Sequence, residues 1–77
     1  MKIEKDVRDL SRYKEILKGF KISHQDVAEF TGRTRETVTL WLNGRHFPPL
    51  MVALHISEEI EELIENKYDE LIQLPRS

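Results

Sequence analysis

The stretch SHQDVAEFTGRTRETVTLWLNG, residues 23–44, constrains the fold more than any other part of the chain. It holds two short apolar-periodic runs, each opened by a hydroxyl residue and each closed by a glycine. Ser23 stands where a helix N-cap would, and Asp26, three residues on, can reach back to complete a capping box with Asp in place of the usual Glu. The spacing predicts a helix over about 24–31 with Val27, Ala28 and Phe30 on its buried side, ended by Gly32. Thr34 caps a second helix over about 35–43, with Val38, Trp41 and Leu42 turned inward, and Asn43-Gly44 terminates it. Two helices this short, joined by a glycine turn, make a helix-turn-helix. Ala28 is small where the second helix crosses the first, Gly32 relaxes the backbone at the reversal, and Val38 and Trp41 wedge the second helix onto the body.

The flanking sequence is helical in pattern as well. Leu10, Tyr13, Leu17 and Phe20, with Ile16 alongside, predict a helix over about 10–18, for which Gly19 is a natural stop. The lead-in MKIEKDVRD is charged, although Ile3 and Val7 could add a turn. Pro48-Pro49 suits a helix start, and the apolar pattern then runs almost to Leu74 before Pro75 stops it. Ser57 followed by Glu58 and Glu59 has the form of a fresh cap with acids in the first turn, which divides this region into helices over about 49–56 and 58–73. No segment alternates with period two. The expectation is an all-α, compact four- to five-helix domain over 1–77, with a helix-turn-helix body over 10–56 and an acidic amphipathic C-terminal helix within 57–77.

At 77 residues one core must suffice, and with no cysteine neither disulfides nor a thiolate zinc site can support it. His24, His46 and His55 have no metal-ligand spacing, so neither a metal nor a cofactor is expected. With no long apolar run and no signal-like start, a cytoplasmic chain without membrane contact is the expectation. The net charge of −2 hides an asymmetry. Residues 1–49 carry ten Lys and Arg against seven Asp and Glu, and residues 50–77 carry two against seven. A mildly basic body, suited to phosphates, is followed by an acidic segment.

With those residues in place, ISHQDVAEFTGRTRETVTLWLNGRHFPP resembles the Cro and lambda-repressor-like helix-turn-helix family. The likeness covers about residues 10–56 and is carried by Ser23, Ala28, Gly32, Thr34, Val38, Trp41 and Asn43-Gly44 with a basic residue and proline after it. Arg33 departs from the small apolar residue usual after the turn glycine, and Thr31 is more polar than the usual occupant. The resemblance implies a DNA-binding regulator with helix 35–43 in the major groove. It implies base contacts for Arg35, Glu36, Thr39 and Leu40, and phosphate contacts for His24, Asn43, Arg45 and His46. Arg33, on the surface of the turn, adds a DNA contact, and Ser23 and Thr34 at the two caps complete the candidate backbone set. Chemistry permits these roles: Arg35 can donate twice to guanine, Glu36 can accept from cytosine N4, and Leu40 suits a thymine methyl. The amides beside Ser23 and His24 suit a phosphate. Trp41 is read as core, and Lys14 and Lys18 as a solvated pair.

The C-terminal segment sets Ile60, Leu63, Ile64, Leu71 and Ile72 against Glu58, Glu61, Glu62, Glu65 and Asp69. Its stripe exceeds what a small body needs, so Ile60, Leu63, Ile64, Tyr68 and Leu71 are the candidate interface of a homodimer or, in their place, the seat of a second protein. The leading function is a repressor of phage or plasmid kind acting on double-stranded DNA at an inverted repeat. A protein-interaction module that has lost DNA binding is the alternative, and an excisionase- or MerR-like winged helix ranks lower. No nucleophile meets a base, so an enzyme is not expected.

Overall fold

The computed structural model describes residues 7–73, and these are helical throughout apart from the connecting turns and loops. The order is a 3-10 turn Leu10–Tyr13, then α1 (Lys14–Gly19), α2 (His24–Thr31), α3 (Arg35–Leu42) and α4 (Leu50–Gln73). The all-α expectation holds. The helix expected over 10–18 opens as a 3-10 turn because Asp9 caps it tightly, its carboxylate accepting from the Ser11 amide at 3.1 Å and the Ser11 hydroxyl at 2.6 Å. In a 3-10 turn residues i and i+3 eclipse, so Leu10 and Tyr13 both enter the core. Val7 and Arg8 are helical, while Ile3 and the rest of residues 1–6 lie outside the described residues, as do Leu74 and Pro75.

Gly19 is not the left-handed stop that the sequence suggests. It is the last residue of α1, and Lys21 takes the positive φ, at 60°. Ile22 N–H donates to the Leu17 carbonyl at 2.9 Å and Lys21 N–H to that of Lys18 at 3.0 Å. This is the Schellman arrangement, whose apolar contact joins the residue after the left-handed one to the helix. Leu17 and Ile22 are both buried, and their contact fixes the reversal at Lys21.

The two caps of the helix-turn-helix form as read. Ser23 Oγ accepts from the Asp26 amide and Asp26 Oδ2 from the Ser23 amide, each at 3.0 Å. Thr34 Oγ1 accepts from the Thr37 amide at 3.2 Å. Gly32 closes α2 at φ 74°, in the left-handed region where a side chain is strained. The polar Thr31 beside it is satisfied locally, donating to the Val27 carbonyl at 2.8 Å. Gly44 closes the next helix, also at φ 74°, with its α-carbon facing Ser11 of the 3-10 turn.

Val27, Ala28, Val38 and Leu42 are each at most 2% exposed and join Leu10, Leu17, Ile56 and Ile60 in one core. Two aromatic expectations need correction. Phe30 is 38% exposed, because the α2 phase that buries Val27 and Ala28 turns it sideways toward α4. Trp41 packs against the edge of the core and is only half-buried, the inward position of α3 being filled by Leu42.

The predicted break at Ser57 is absent, and Leu50–Gln73 is one helix of 24 residues, about 36 Å long at 1.5 Å per residue. Ser57 is buried with its hydroxyl accepting from Arg12 Nη2 at 3.2 Å, so it holds the 3-10 turn instead of capping. Ala53, Ile56 and Ile60, all at most 1% exposed, make an uninterrupted stripe through that point. The helix starts at Leu50, one residue later than expected, where the Pro49 carbonyl accepts from the Ala53 amide at 2.8 Å. Arg8 clips the loop before it, donating from Nε to the Pro48 carbonyl at 2.8 Å. A winged helix would need a β-hairpin where α4 stands, and no described residue is in a strand. No helix among the described residues is long and apolar enough to cross a membrane. Both α3 and α4 pack on α2 and on the 3-10 turn.

Candidate nucleic-acid interface

With Val38 and Leu42 locked into the core, the phase of α3 is fixed, and its opposite face carries Arg35, Glu36, Thr39 and Leu40. These four line one shallow depression. Arg35 and Glu36 are exposed at its start, Leu40 is 37% exposed, and Thr39 is half-buried between them and α2. The four positions singled out for base contact thus share one surface.

His24, the first residue of α2, ties that surface to its neighbour: its Nδ1 lies 2.9 Å from Thr39 Oγ1. Burial first, then the charges of Lys14 and Arg35, hold its imidazole below the ordinary histidine value. His24 is therefore a neutral hydrogen-bonding group near neutral pH, with Nε2 left for another partner. The capping box occupies the amides of Ser23 and Asp26, which leaves those of His24 and Gln25 at the helix end for an anion.

Reading the sequence alone missed what stands beside that helix end. Lys14, Lys18 and Lys21 line a depression with Leu17, Ile22, Ser23 and His24. The signal was present, since the three lysines recur at helical spacing four and three residues apart and lie just before the cap. Lys14 and Lys18 are indeed exposed, but they face the amino end of α2 and not empty solvent. Only the left-handed turn at Lys21 brings the third lysine round to join them.

At the turn, exposed Arg33 sits with its guanidinium carbon 5.8 Å from the centroid of the half-buried Trp41 ring, within cation–π reach. Thr34 is exposed, its hydroxyl shared between the cap and Thr37 Oγ1 at 2.9 Å. Asn43, Arg45 and His46 are exposed at the far end of α3, with the Arg45 amide donating to the Leu40 carbonyl at 3.0 Å. Donor groups thus flank this α3 face at both ends.

The expected dimer residues divide along α4. Ile60 is 1% exposed and belongs to the chain's own core, which leaves it no surface for a partner. Leu63 and Ile64 are half-buried against the core, whereas Tyr68 is 53% and Leu71 50% exposed, with Ile72 beside them. Met51 and Leu54 form a second exposed apolar pair that the sequence reading did not single out. The acids are not all merely solvated, since Glu61 Oε2 accepts from the Tyr13 hydroxyl at 2.6 Å. Burial, then that bond, raises the Tyr13 phenol above its ordinary value.

The neutral His24 has a measurable consequence. Below the ordinary histidine value of about 6.5 the unfolded chain binds a proton that the folded chain declines until a lower pH. Stability contributed by this group is therefore complete above that value and is lost as pH falls through the folded value. Between about pH 7.5 and about pH 5 the urea midpoint is expected to fall further for the wild type than for His24→Gln, whose amide does not titrate. Parallel curves for the two proteins would remove His24 as the cause.

Residues 20–39 match the family of bacterial regulatory proteins, crp family. The match spans α2, the turn and the first half of α3, and it supports a helix-turn-helix DNA-binding transcription regulator. It does not single out the Cro and lambda-repressor kind. Neither a curated protein nor a solved structure matches the chain.

Proposed function

We propose that this chain is a sequence-specific regulator of the Cro and lambda-repressor kind, which binds double-stranded DNA with α3 in the major groove. The observation that carries this reading is the one face shared by exposed Arg35, Glu36 and Leu40 and half-buried Thr39, on a helix whose other side is immobilised in the core. Ser23, His24, Arg33, Thr34, Asn43, Arg45 and His46 are its backbone contacts, joined by Lys14, Lys18 and Lys21. Two copies pair through Leu63, Ile64, Tyr68 and Leu71 on α4 and present two reading helices to an inverted repeat, about 34–36 Å apart. Repression follows by occlusion of a promoter.

Selection from a random duplex library tests this directly. The expected product is a palindrome with half-sites about 10 bp apart, bound more weakly as salt rises. Sedimentation is expected to find a dimer that Leu71→Glu converts to a monomer, and the monomer binds the palindrome more weakly. Enrichment of a single half-site by a chain that sediments as a monomer would retain DNA reading and reject the dimer. A second reading, a protein-interaction module, is favoured by the groove where exposed Phe30 meets Ile22 and Leu63 under Asp26, Glu29 and Glu70. Failure to enrich any duplex, even at low salt, would transfer the assignment to it.

A further inference from the structure

The groove between α2 and α4 has a chemistry that its own residues define, and the partner it fits follows from them without the DNA-binding reading. Its floor is apolar: Ile22 is buried, Leu63 is half-buried against the core, and Phe30 beside them is 38% exposed. Its rim carries Asp26 and Glu29 from α2 and Glu70 from α4, with Lys67 as the one cation. Lys67 Nζ is 3.9 Å from Glu70 Oε1. Asp26 accepts from the Ser23 amide and Glu29 from Gln25 Nε2 at 3.1 Å, both neutral donors, and neither carboxylate forms an ion pair among the described residues. An exposed aromatic ring thus stands under a rim with a surplus of negative charge.

Such a rim repels nucleic acid and anionic lipid. It also matches a second copy of the chain poorly, since residues 50–77 carry two Lys and Arg against seven Asp and Glu. The lysine face of α1 has the complementary charge, but its Leu17 and Ile22 are buried and offer Phe30 nothing to pack against. We propose that this groove docks a cationic segment of a different protein. One apolar side chain of that segment packs on Phe30 between Ile22 and Leu63, and Lys or Arg on either side of it reach Asp26, Glu29 and Glu70. The charges orient the segment and speed its encounter, and the buried apolar anchor holds it. None of the groove residues lines the α3 depression, so docking leaves Arg35, Glu36, Thr39 and Leu40 free. Leu63 belongs also to the stripe assigned to the dimer, whereas Glu29 and Phe30 belong to the groove alone.

The probe is a displayed library of random peptides, selected on the full chain. Enriched peptides are expected to carry Lys or Arg on both sides of an apolar residue. A synthetic copy of one should bind about tenfold more weakly to Phe30→Ala, which removes the aromatic partner of the anchor. The double variant Glu29→Gln/Glu70→Gln should weaken it about fivefold, the effect of two exposed charge pairs. These side chains are exposed, so both variants should keep the wild-type urea midpoint, and Asp26 is left in place because it completes the capping box. Arg35→Ala and Leu40→Ala, on the other face, should leave the peptide affinity unchanged. Enriched peptides without surplus positive charge, an affinity that Phe30→Ala does not lower, or no enrichment at all would each overturn the proposal. So would sedimentation in which Phe30→Ala turns a wild-type dimer into a monomer, because the occupant would then be a second copy. The peptide titration uses no DNA, so a failed duplex selection removes the DNA-binding reading and leaves this one standing.

Discussion

Truncation of Leu42 to alanine is expected to destabilise the chain by about 2–5 kcal/mol, while the same truncation at Leu40 changes stability by less than about 0.5 kcal/mol. The two leucines are two residues apart on one helix, and the helix turns about 200° between them. Leu42 is 1% exposed and belongs to the cluster that joins α3 to Leu10, Ile56 and Ile60. Its loss removes transferred apolar surface and leaves a cavity that the surrounding side chains fill only in part. Leu40 is 37% exposed and lines the outer depression, so its methyls already meet water. A domain of this length has a total stability of about 4–12 kcal/mol, so Leu42→Ala consumes a large share of it. Urea unfolding of the two variants against the wild type decides the matter. Similar losses at both sites would mean that the α3 face assigned to DNA has the wrong rotational phase, and every base contact assigned here would fall together.

What the sequence reveals is what short-range chemistry decides. Ser23 with Asp26, Thr34 with Thr37, and Gly32 and Gly44 at positive φ all act within four or five residues, and each is legible without the fold. Sequence reasoning fails where a distant partner chooses between two roles for one residue type. Ser57 followed by two glutamates is a plausible cap, but Arg12, 45 residues earlier, takes its hydroxyl and the helix continues. Gly19 is the cheaper left-handed residue, yet the Leu17–Ile22 contact sets the reversal two residues later and accepts Lys21 there. Phe30 and Trp41 read as interior because they are large and apolar. The interior positions are already filled by Val27, Ala28, Val38 and Leu42, and the aromatics stay at the rim.

The candidate site divides along the same line. Arg35, Glu36, Thr39 and Leu40 follow from the helix period once the buried side is known, and they do share one face. The bond from His24 to Thr39 spans 15 residues and two helices, and periodicity carries no information about it. The lysine cluster depends on how α1 joins α2, hence on the left-handed Lys21, which is the feature that local reasoning misplaces. One misplaced turn therefore hides a whole group of cations. It also explains how a chain with net charge −2 gathers three lysines on one surface.

That surface makes the larger binding prediction. Replacing Lys14, Lys18 and Lys21 together by glutamine is expected to weaken DNA binding about 500-fold at 0.1 M salt and to reduce the slope of log K against log salt by about 2.7, or 0.9 for each phosphate no longer neutralised. The loss should be the same for the selected operator and for an unrelated duplex, since phosphates carry no sequence information. Arg35→Ala serves as the contrast, with a loss of about 5–150-fold on the operator, little on unrelated DNA, and a salt slope nearly unchanged. The lysines are exposed, so the triple variant should fold normally, and losing the Lys14 charge should let His24 take up its proton at a somewhat higher pH. Fluorescence anisotropy across a salt series separates the two classes of contact. If the triple variant keeps the wild-type slope, the lysines are solvated and the backbone contacts reduce to the amino end of α2 and the residues around α3. If Arg35→Ala lowers affinity equally on every duplex, Arg35 holds phosphate, and base reading must rest on Glu36, Thr39 and Leu40.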